Sequence, residues 1–317
     1  MITYVRRRGI CMGKWLVSRQ CVCGRSKRGN REGYCMYYAE HYAVSSHDVD
    51  VNNNIRPSVL LRFMQETANH QMRDGKPSYY ELFFSGKSFV ITRISIEVYE
   101  QLHQYDEIEA RCWVCQGKAA TFIRCYQIYR EGKLCASAYS EWALSDIKNG
   151  GLVRTSEIDF SRYESDDALD LDLPKRFRIP RDMELDQMGE DRVRYSQVDL
   201  NGHMNNTYYP DMLCDCIPDI EGKMVTSMNV RFVHEALLNT ELQIYGAEAP
   251  LSMAGDPRAD EVYVMQSRMG SRKNVDAVFG LKKLENPLWN EAQVRELMHG
   301  ESVGMPSEVQ KEQKLER

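Results

Sequence analysis

The sequence predicts an α+β fold built from two copies of one unit, each containing a strand, a helix and four further strands. Strand-like segments and a helical stretch occur before residue 147, and the same series returns after residue 191. A short motif is also repeated, because VDVNNNIRP at 49–57 reappears as VDLNGHMNN at 198–206. Each copy of the motif lies between a predicted strand and a predicted helix, so the two halves are expected to share one architecture.

The first unit covers residues 36–147. A strand at 37–47 leads into a turn, and Pro57 is suited to the first turn of a helix. Gly75 and Pro77 end that helix. Segments rich in Val, Ile, Tyr and Phe then predict strands at 88–100, 105–116, 119–130 and 133–145. The helix carries apolar residues four apart, the pattern of one buried face: Leu60, Met64, Ala68 and Met72.

A different composition separates the two units. Residues 148–190 contain two adjacent glycines, the acidic run ESDDALDLD and the basic run KRFRIPR, which indicates a linker. The second unit, 191–285, repeats the pattern, and a charged, partly helical tail follows at 286–317. Ten or so strands can form one sheet, so we predict a tandem hotdog fold, in which each half wraps a long helix in an antiparallel sheet. The second unit is predicted to hold a strand near 191–197, a helix near 206–216, and strands near 224–235, 240–248, 260–269 and 274–284.

Charge and composition limit the function classes. Of the 317 residues, 43% are hydrophobic, which is enough for a substantial core. Residues 36–317 carry 32 basic and 45 acidic residues, and such an acidic body argues against nucleic-acid binding. No run of about 18 apolar residues occurs, so we expect no membrane span.

Residues 1–35 form a basic head with nine Lys or Arg and one acidic residue, Glu32. A targeting peptide fits the Arg-rich composition, although serine is scarce. A metal site fits four cysteines, although their spacing lacks paired CxxC motifs. A disordered extension, arising from translation that starts upstream of Met36, is the interpretation that we favour.

The remaining cysteines predict free thiols rather than a metal site. Cys112 and Cys115 have CxxC spacing, but in a strand a separation of three places the side chains on opposite faces. Buried free thiols are typical of a reducing cytosol. We therefore expect a cytoplasmic protein with no metal and no other cofactor.

The repeated motif differs between its copies in one chemical respect. Asp50 aligns with Asp199, Asn52 with Asn201, and Asn54 with His203. Histidine can carry a proton at neutral pH, whereas asparagine cannot. Gly202 occurs only in the second copy and suits a positive φ or the close approach of a ligand. These differences predict that the second copy is the catalytic one.

The helix that follows the second motif is a candidate oxyanion site. Asn205 or Asn206 is a natural N-cap, and the N–H groups of the first turn can stabilise a developing negative charge. Pro210 removes one helical hydrogen bond, so the helix is expected to begin late or to bend.

The sequence contains no GxSxG motif and no recognisable Cys–His pair, so water is the expected nucleophile and needs a general base. Glu235 ends the predicted strand VTSMNVRFVHEA, where partial desolvation would make its carboxylate a better proton acceptor. Taken alone, this position is better explained by an ordinary solvated glutamate at a strand end. Strand alternation also favours His234 as the inward residue, unless a bulge ends the strand.

The chain resembles the acyl-acyl-carrier-protein (acyl-ACP) thioesterases over residues 37–285. The resemblance rests on the helix LLRFMQETANHQM, the segments VITRISIEVYEQLHQYDEIEARCW and SAYSEWALSD, the strand with Arg124, and above all DLNGHMNNTYY. It implies a double hotdog with a catalytic loop at Asp199, Asn201 and His203 and a catalytic Glu235. Ala236 stands where many plant members have cysteine, which supports attack by water. Phe89 replaces the family's usual tryptophan.

The resemblance further implies hydrolysis of fatty acyl-ACP, with acyl carrier protein as partner and a fatty acyl thioester as substrate. Basic residues around the first helix (Arg56, Arg62, Arg73 and Lys76) or at 175–178 are candidates for docking that acidic partner. Tyr79–Tyr80 and Phe83–Phe84 are expected either to line an acyl tunnel or to pack in the core. An acyl-CoA thioesterase, another hotdog enzyme such as a hydratase, and a non-catalytic acyl-binding regulator stay as alternatives. The oligomeric state is open, with a homodimer as one option.

Overall fold

The computed structural model describes residues 37–288, which form one antiparallel sheet of ten strands with three α-helices. The predictions for the basic head at 1–35 and for most of the tail lie outside these residues. None of the helices between residues 37 and 288 has the length and apolar character needed to cross a bilayer.

The order of elements follows the predicted repeat. The first half contains β1 (Tyr38–Ala43), α1 (Pro57–Asp74), α2 (Tyr79–Phe84), β2 (Lys87–Val98), β3 (Glu107–Lys118), β4 (Thr121–Arg130) and β5 (Lys133–Asp146). The second half contains β6 (Asp186–Arg192), α3 (Tyr209–Cys214), β7 (Lys223–Phe232), β8 (Glu241–Ala249), β9 (Glu261–Met269) and β10 (Arg272–Lys283).

The strand order shows a two-fold relation between the halves. The sheet runs β1-β3-β4-β5-β2-β7-β10-β9-β8-β6. Counted outwards from the centre, the order β2-β5-β4-β3-β1 of the first half corresponds to the order β7-β10-β9-β8-β6 of the second. The halves join where β2 pairs antiparallel with β7, with Ile94 opposite Val230 and Ile96 opposite Met228. These four side chains are buried in a core that is continuous across both halves. The tandem hotdog fold predicted from the repeat is therefore confirmed.

The two central helices differ in length. Helix α1 has 18 residues, begins with Pro57, and buries one face that includes Leu60, Met64 and Ala68. In the second half, residues 206–208 form a 3₁₀ turn, and α3 follows with only six residues. Pro210 occupies the second position of α3, where its missing N–H costs no helical bond. The prediction that this proline delays the helix is confirmed.

Two elements differ from the sequence predictions. The strand expected near 191–197 is β6 at Asp186–Arg192, and residues 195–197 form a 3₁₀ turn. The predicted bounds lie too far along the chain because DQMGEDR lacks apolar alternation. Helix α2 was not predicted because it has only six residues, yet Ser78 and Glu81 form a capping box that announces it.

A carboxylate from the second half caps the helix of the first half. Asp211 in α3 accepts hydrogen bonds from the backbone N–H of Ser58 (2.9 Å) and from the Ser58 hydroxyl. Arg56, which precedes α1, makes no side-chain cap of its own. The first turn of α1 therefore depends on α3 for one of its free N–H groups, and this contact ties the two helices together.

We expect Asp211→Ala to lower the free energy of unfolding by about 1–2 kcal/mol, the usual effect of losing a cap. Urea unfolding of the full chain would measure it. Asp215→Ala is a matched control, since Asp215 is an exposed aspartate that directly follows α3 and has no side-chain hydrogen bond in the described chain. Equal stability of Asp211→Ala and the control would contradict the capping role.

Candidate active site

The two copies of the motif fold into the same loop. In the first, the N–H of Asp50 donates to the Asn54 carbonyl (2.8 Å), and its carboxylate accepts from the N–H of Asn52 (2.8 Å). In the second, the N–H of Asp199 donates to the His203 carbonyl (3.0 Å), and its carboxylate accepts from the N–H of Asn201 (2.8 Å). The aspartates therefore shape the loop, and the alignment of Asn54 with His203 holds in three dimensions.

Gly202 has the positive φ that the sequence predicted, at 81°. The equivalent residue of the first loop is Asn53, which also has a positive φ, at 62°. Asparagine enters this left-handed region more readily than most residues. The glycine therefore meets a backbone requirement of both loops and does not by itself distinguish the second copy.

Asn205 is the N-cap of the turn that follows the second loop. Its Oδ1 accepts from the backbone N–H of Thr207 (3.0 Å) and from the Thr207 hydroxyl (2.8 Å). The backbone N–H of Asn206 has no acceptor among residues 37–288. Of the two asparagines, Asn205 thus serves the backbone, and Asn206 leaves an N–H free for a ligand.

The segment after β7 lies beside this loop. The N–H of Met204 donates to the Ala236 carbonyl (2.8 Å), and His203 forms an antiparallel bridge with Leu237. In that register, position 205 faces position 235, so the structure brings Glu235 next to the predicted catalytic loop.

A bulge ends β7. In the sequence-based prediction, such a bulge is the condition for an inward Glu235. The N–H groups of Val233 and His234 both donate to the Asn274 carbonyl (2.9 and 3.2 Å), so two residues oppose one. Glu235 is nevertheless exposed, which corrects the expectation of a partly desolvated carboxylate. Burial raises the pKa of Tyr209 to about 12, and the charge of Glu235 adds to that shift.

The same backbone contact identifies the counterpart of Glu235 in the first half. There the N–H of Ile55 donates to the Leu102 carbonyl (2.9 Å), just as Met204 donates to Ala236. Leu102 thus matches Ala236, and Gln101 matches Glu235. The first copy carries amides where the second carries a histidine and a carboxylate. Sequence comparison missed this second exchange, because it depends on a pairing of residues that are far apart in the chain.

A cavity of about 890 Å³ connects the second loop with the interior of the first half. Asp199, Asn201, Asn205 and Asn206 line its loop side, and α1 lines another side. His203 and Glu235 are not among the residues that line it. Four of the six predicted site residues therefore meet at the cavity, and the other two lie on the paired segments beside the loop.

Aromatic side chains form the apolar part of the cavity wall. Phe89 and Phe122 pack edge to face (5.2 Å between ring centroids), and Phe160 contacts both rings. Phe160 belongs to the segment 148–185, so the predicted linker closes part of the cavity. Tyr79 and Tyr80 also line the cavity, whereas Phe83 and Phe84 do not. The predicted tunnel-lining role is thus met by the tyrosine pair alone.

The described cysteines are free thiols. Cys112 donates to Gln71 on the helix side of the sheet, and Cys115 contacts Cys125 (3.5 Å between sulfurs) on the other side. The prediction of opposite faces is confirmed. Within residues 37–288, no cluster of His, Cys, Asp or Glu side chains is arranged to hold a metal ion.

Comparison with known proteins identifies two matching family models. The model of the acyl-ACP thioesterase N-terminal domain matches residues 36–160, and that of the C-terminal domain matches residues 181–274. Among curated proteins, the chloroplastic palmitoyl-acyl carrier protein thioesterase of Arabidopsis thaliana is 22% identical over 252 residues, covering 73% of this chain and 61% of the relative. The chloroplastic dodecanoyl-[acyl-carrier-protein] hydrolase of Cinnamomum camphora is 23% identical, covering 66% and 58%. The chain spans about three fifths of the length of these relatives.

Solved structures share the fold. An acyl-ACP thioesterase from Bacteroides thetaiotaomicron matches with a TM-score of 0.67 and 18% identity, covering 78% of this chain and 98% of that one. A 12:0-ACP thioesterase from Umbellularia californica matches with a TM-score of 0.68 and 16% identity, covering 78% and 95%. At these identities the likeness establishes the double hotdog architecture.

We expect Gly202→Ala to lower the free energy of unfolding by roughly 1–2 kcal/mol, the cost of a left-handed backbone for an ordinary residue. No heavy atom lies within 4 Å of an added Cβ, so backbone strain alone accounts for the loss. Gly202→Asn, which copies Asn53, should cost clearly less. Chemical denaturation of both variants would test this, and equal losses would show that the loop abandons the positive φ.

Proposed function

The chain belongs to the acyl-ACP thioesterase family, and we propose that it hydrolyses the thioester of fatty acyl-ACP to release a free fatty acid. The observation that carries the proposal is the paired exchange between the two halves. His203 and Glu235 stand where the first half has Asn54 and Gln101, although the loop backbone is the same. At these two positions, groups that can transfer a proton are thus present in the second copy and replaced by amides in the first.

In the proposed reaction, Glu235 acts as general base and takes a proton from water. The resulting hydroxide adds to the thioester carbonyl carbon, and the C–S bond then breaks. The proton that Glu235 took from water passes to the sulfur, which leaves as the thiol. Asn201 and His203 position the water or the thioester by hydrogen bonds. The backbone N–H of Asn206 stabilises the oxyanion in this proposal, which its free state at the cavity supports, and Asn205 holds the turn.

Asp199 has a supporting role in this proposal. Its two carboxylate oxygens are engaged by the Asn201 backbone N–H (2.8 Å) and the Asn205 side chain (3.4 Å). It therefore orients the loop rather than contacting the reacting atoms. Tyr79 and Asp199 both line the cavity, and burial together with the charge of Asp199 raises the pKa of Tyr79.

The cavity supports a fatty acyl substrate. It begins at the catalytic loop and continues beside Phe89, Phe122 and Trp142 into the first half. We assign acyl carrier protein as the partner because both curated relatives are named for acyl-carrier-protein substrates. The free thiols of the described chain support a reducing, cytoplasmic setting.

We expect Glu235→Gln to reduce kcat for thioester hydrolysis by about 10²–10⁴-fold, the contribution typical of a general base. The substitution copies Gln101 and so preserves the shape that the first half already tolerates. The measurement is thiol release from acyl-ACP and acyl-CoA thioesters of graded chain length.

Glu241→Gln is the matched control for this test, because Glu241 is an exposed glutamate at the start of the next strand. It should keep wild-type kcat. A folded Glu235→Gln protein that also kept full activity would refute the assignment of Glu235.

Docking of an acidic carrier protein would depend on cations that have no partner of their own. Three of the four candidate residues around α1 face carboxylates, as in the pairs Arg73–Asp74 and Lys76–Glu81. Arg176 and Arg178 are exposed, with no carboxylate within 4.0 Å among the described residues. Arg56 is also exposed and has no carboxylate within 4.0 Å among these residues, so Arg56, Arg176 and Arg178 are the better docking candidates.

We expect the KM for acyl-ACP to rise as salt increases, since screening weakens attraction between exposed charges. The KM for a thioester of pantetheine, which lacks the acidic protein, should change little. Parallel salt titrations with the two substrates would test electrostatic docking, and identical curves would argue against it.

A further inference from the structure

A buried arginine lines the cavity and has no carboxylate partner in the described part of the chain. Arg124 lies in β4 with only 7% of its surface exposed, and it is one of the residues that line the cavity. Its neighbour two positions before, Phe122, lines the cavity too, and Tyr126, two positions after, is in the closed core. Strand alternation places all three on the helix side of the sheet. Arg124 thus stands where the packed core ends and the cavity begins.

Among residues 37–288, only one nitrogen of this guanidinium has hydrogen-bond acceptors. Nη1 donates to Oε1 of Gln71 (2.7 Å) and to the carbonyl of Ala68 (3.3 Å). Nε and Nη2 have no acceptor among residues 37–288. The carboxylate of Glu164 reaches Arg124 only indirectly, because it accepts from Nε2 of Gln71 (2.9 Å).

Other shielded arginines of the described chain face a carboxylate directly. Arg130 contacts Asp106 at 2.6 Å, Arg258 contacts Asp256 at 2.7 Å, and Arg93 has Glu141 at 3.9 Å. A buried charge without a partner is costly. Arg124 differs from these arginines because it has no carboxylate beside it among residues 37–288. It lines the cavity, where a bound ligand can supply an anion.

The free edge of Arg124 has the right shape for that anion. Nε and Nη2 lie on the same side of the planar guanidinium, and their parallel N–H groups form the fork that binds both oxygens of a carboxylate. Gln71 and Ala68 hold the opposite side and fix the plane. A hydroxyl or a thioester oxygen would engage only part of this fork.

We propose that Arg124 forms a carboxylate-binding subsite inside the cavity, for an alkyl chain that ends in a carboxylate. The inference rests on the proposed function in one respect, namely that the cavity holds an acyl chain. Two sources share this chemistry. The carboxylate is either the far end of an α,ω-dicarboxylic acyl thioester, which makes it part of the substrate, or the head group of a free fatty acid, which makes it an inhibitor.

Calorimetric binding to the full-length protein tests the subsite without requiring catalysis. The probes are a graded-length series of fatty acids, the primary alcohols of equal length, and α,ω-dicarboxylic acids. We expect a carboxylate to bind about tenfold to a hundredfold tighter than the matched alcohol, the usual gain from hydrogen bonds to a charged group. Arg124→Met should abolish this preference, and Arg124→Lys should retain part of it.

Arg111→Met is the matched control. Arg111 is a partly buried arginine of the adjacent strand β3, and it stacks on Tyr129 rather than lining the cavity. It should leave the preference for carboxylates unchanged. If Arg124→Met does not fold, the comparison of acid with alcohol on the wild-type protein still decides whether a carboxylate site exists.

Hydrolysis assays then separate the two sources. If the substrate carries the carboxylate, wild-type kcat/KM for ω-carboxyacyl thioesters exceeds that for plain acyl thioesters, and Arg124→Met removes the difference. If the product carries it, fatty acids inhibit competitively and the alcohols do not. Equal binding of acid and alcohol by the wild-type protein would overturn the subsite. Failure to hydrolyse any thioester would instead count against the proposed function and leave the binding result intact.

Discussion

The antiparallel pairing of β2 with β7 is the interaction on which the rest of the structure depends. It joins two half-sheets about an approximate two-fold relation, so that the core passes without a break from one half to the other. It also determines what each motif loop faces. The loop at 199–206 borders a cavity that extends beneath the 18-residue helix of the first half, whereas the second half offers only the six-residue α3. The pairing of β2 with β7 thus gives the two motif loops related positions, but only the second loop borders the cavity.

The first loop does not border that cavity. Its backbone keeps the hydrogen bonds of the second loop, but Asn52 and Asn54 are buried, and Asn52 donates to the carbonyl of Glu221. Gln101, opposite, donates to the Val225 carbonyl (3.0 Å). The side-chain amides of Asn52 and Gln101 therefore bind backbone carbonyls. Asp211 and Ser58 connect the starts of α3 and α1.

Much of this architecture can be predicted from the sequence, because it follows from local patterns. Alternation and helical spacing predict nine of the strands and α1, and Pro210 predicts the late start of α3. The failures have physical reasons. Strand β6 is polar because it lies at the sheet edge, and Glu235 is exposed although a bulge formed with a distant strand ends β7. The counterpart of Glu235 and the missing partner of Arg124 emerge only when residues far apart in the chain are brought together.

The contribution of residues 148–185 to the cavity has an evolutionary consequence. Ile158 and Phe160 lie in the connection between β5 and β6, where neighbouring residues such as Glu157 and Asp159 are exposed. Connecting segments tolerate substitution and changes of length better than strands do. Substitutions and length changes in this connection can therefore alter the cavity wall during evolution. The strands and motif loops of the two halves need not change with it.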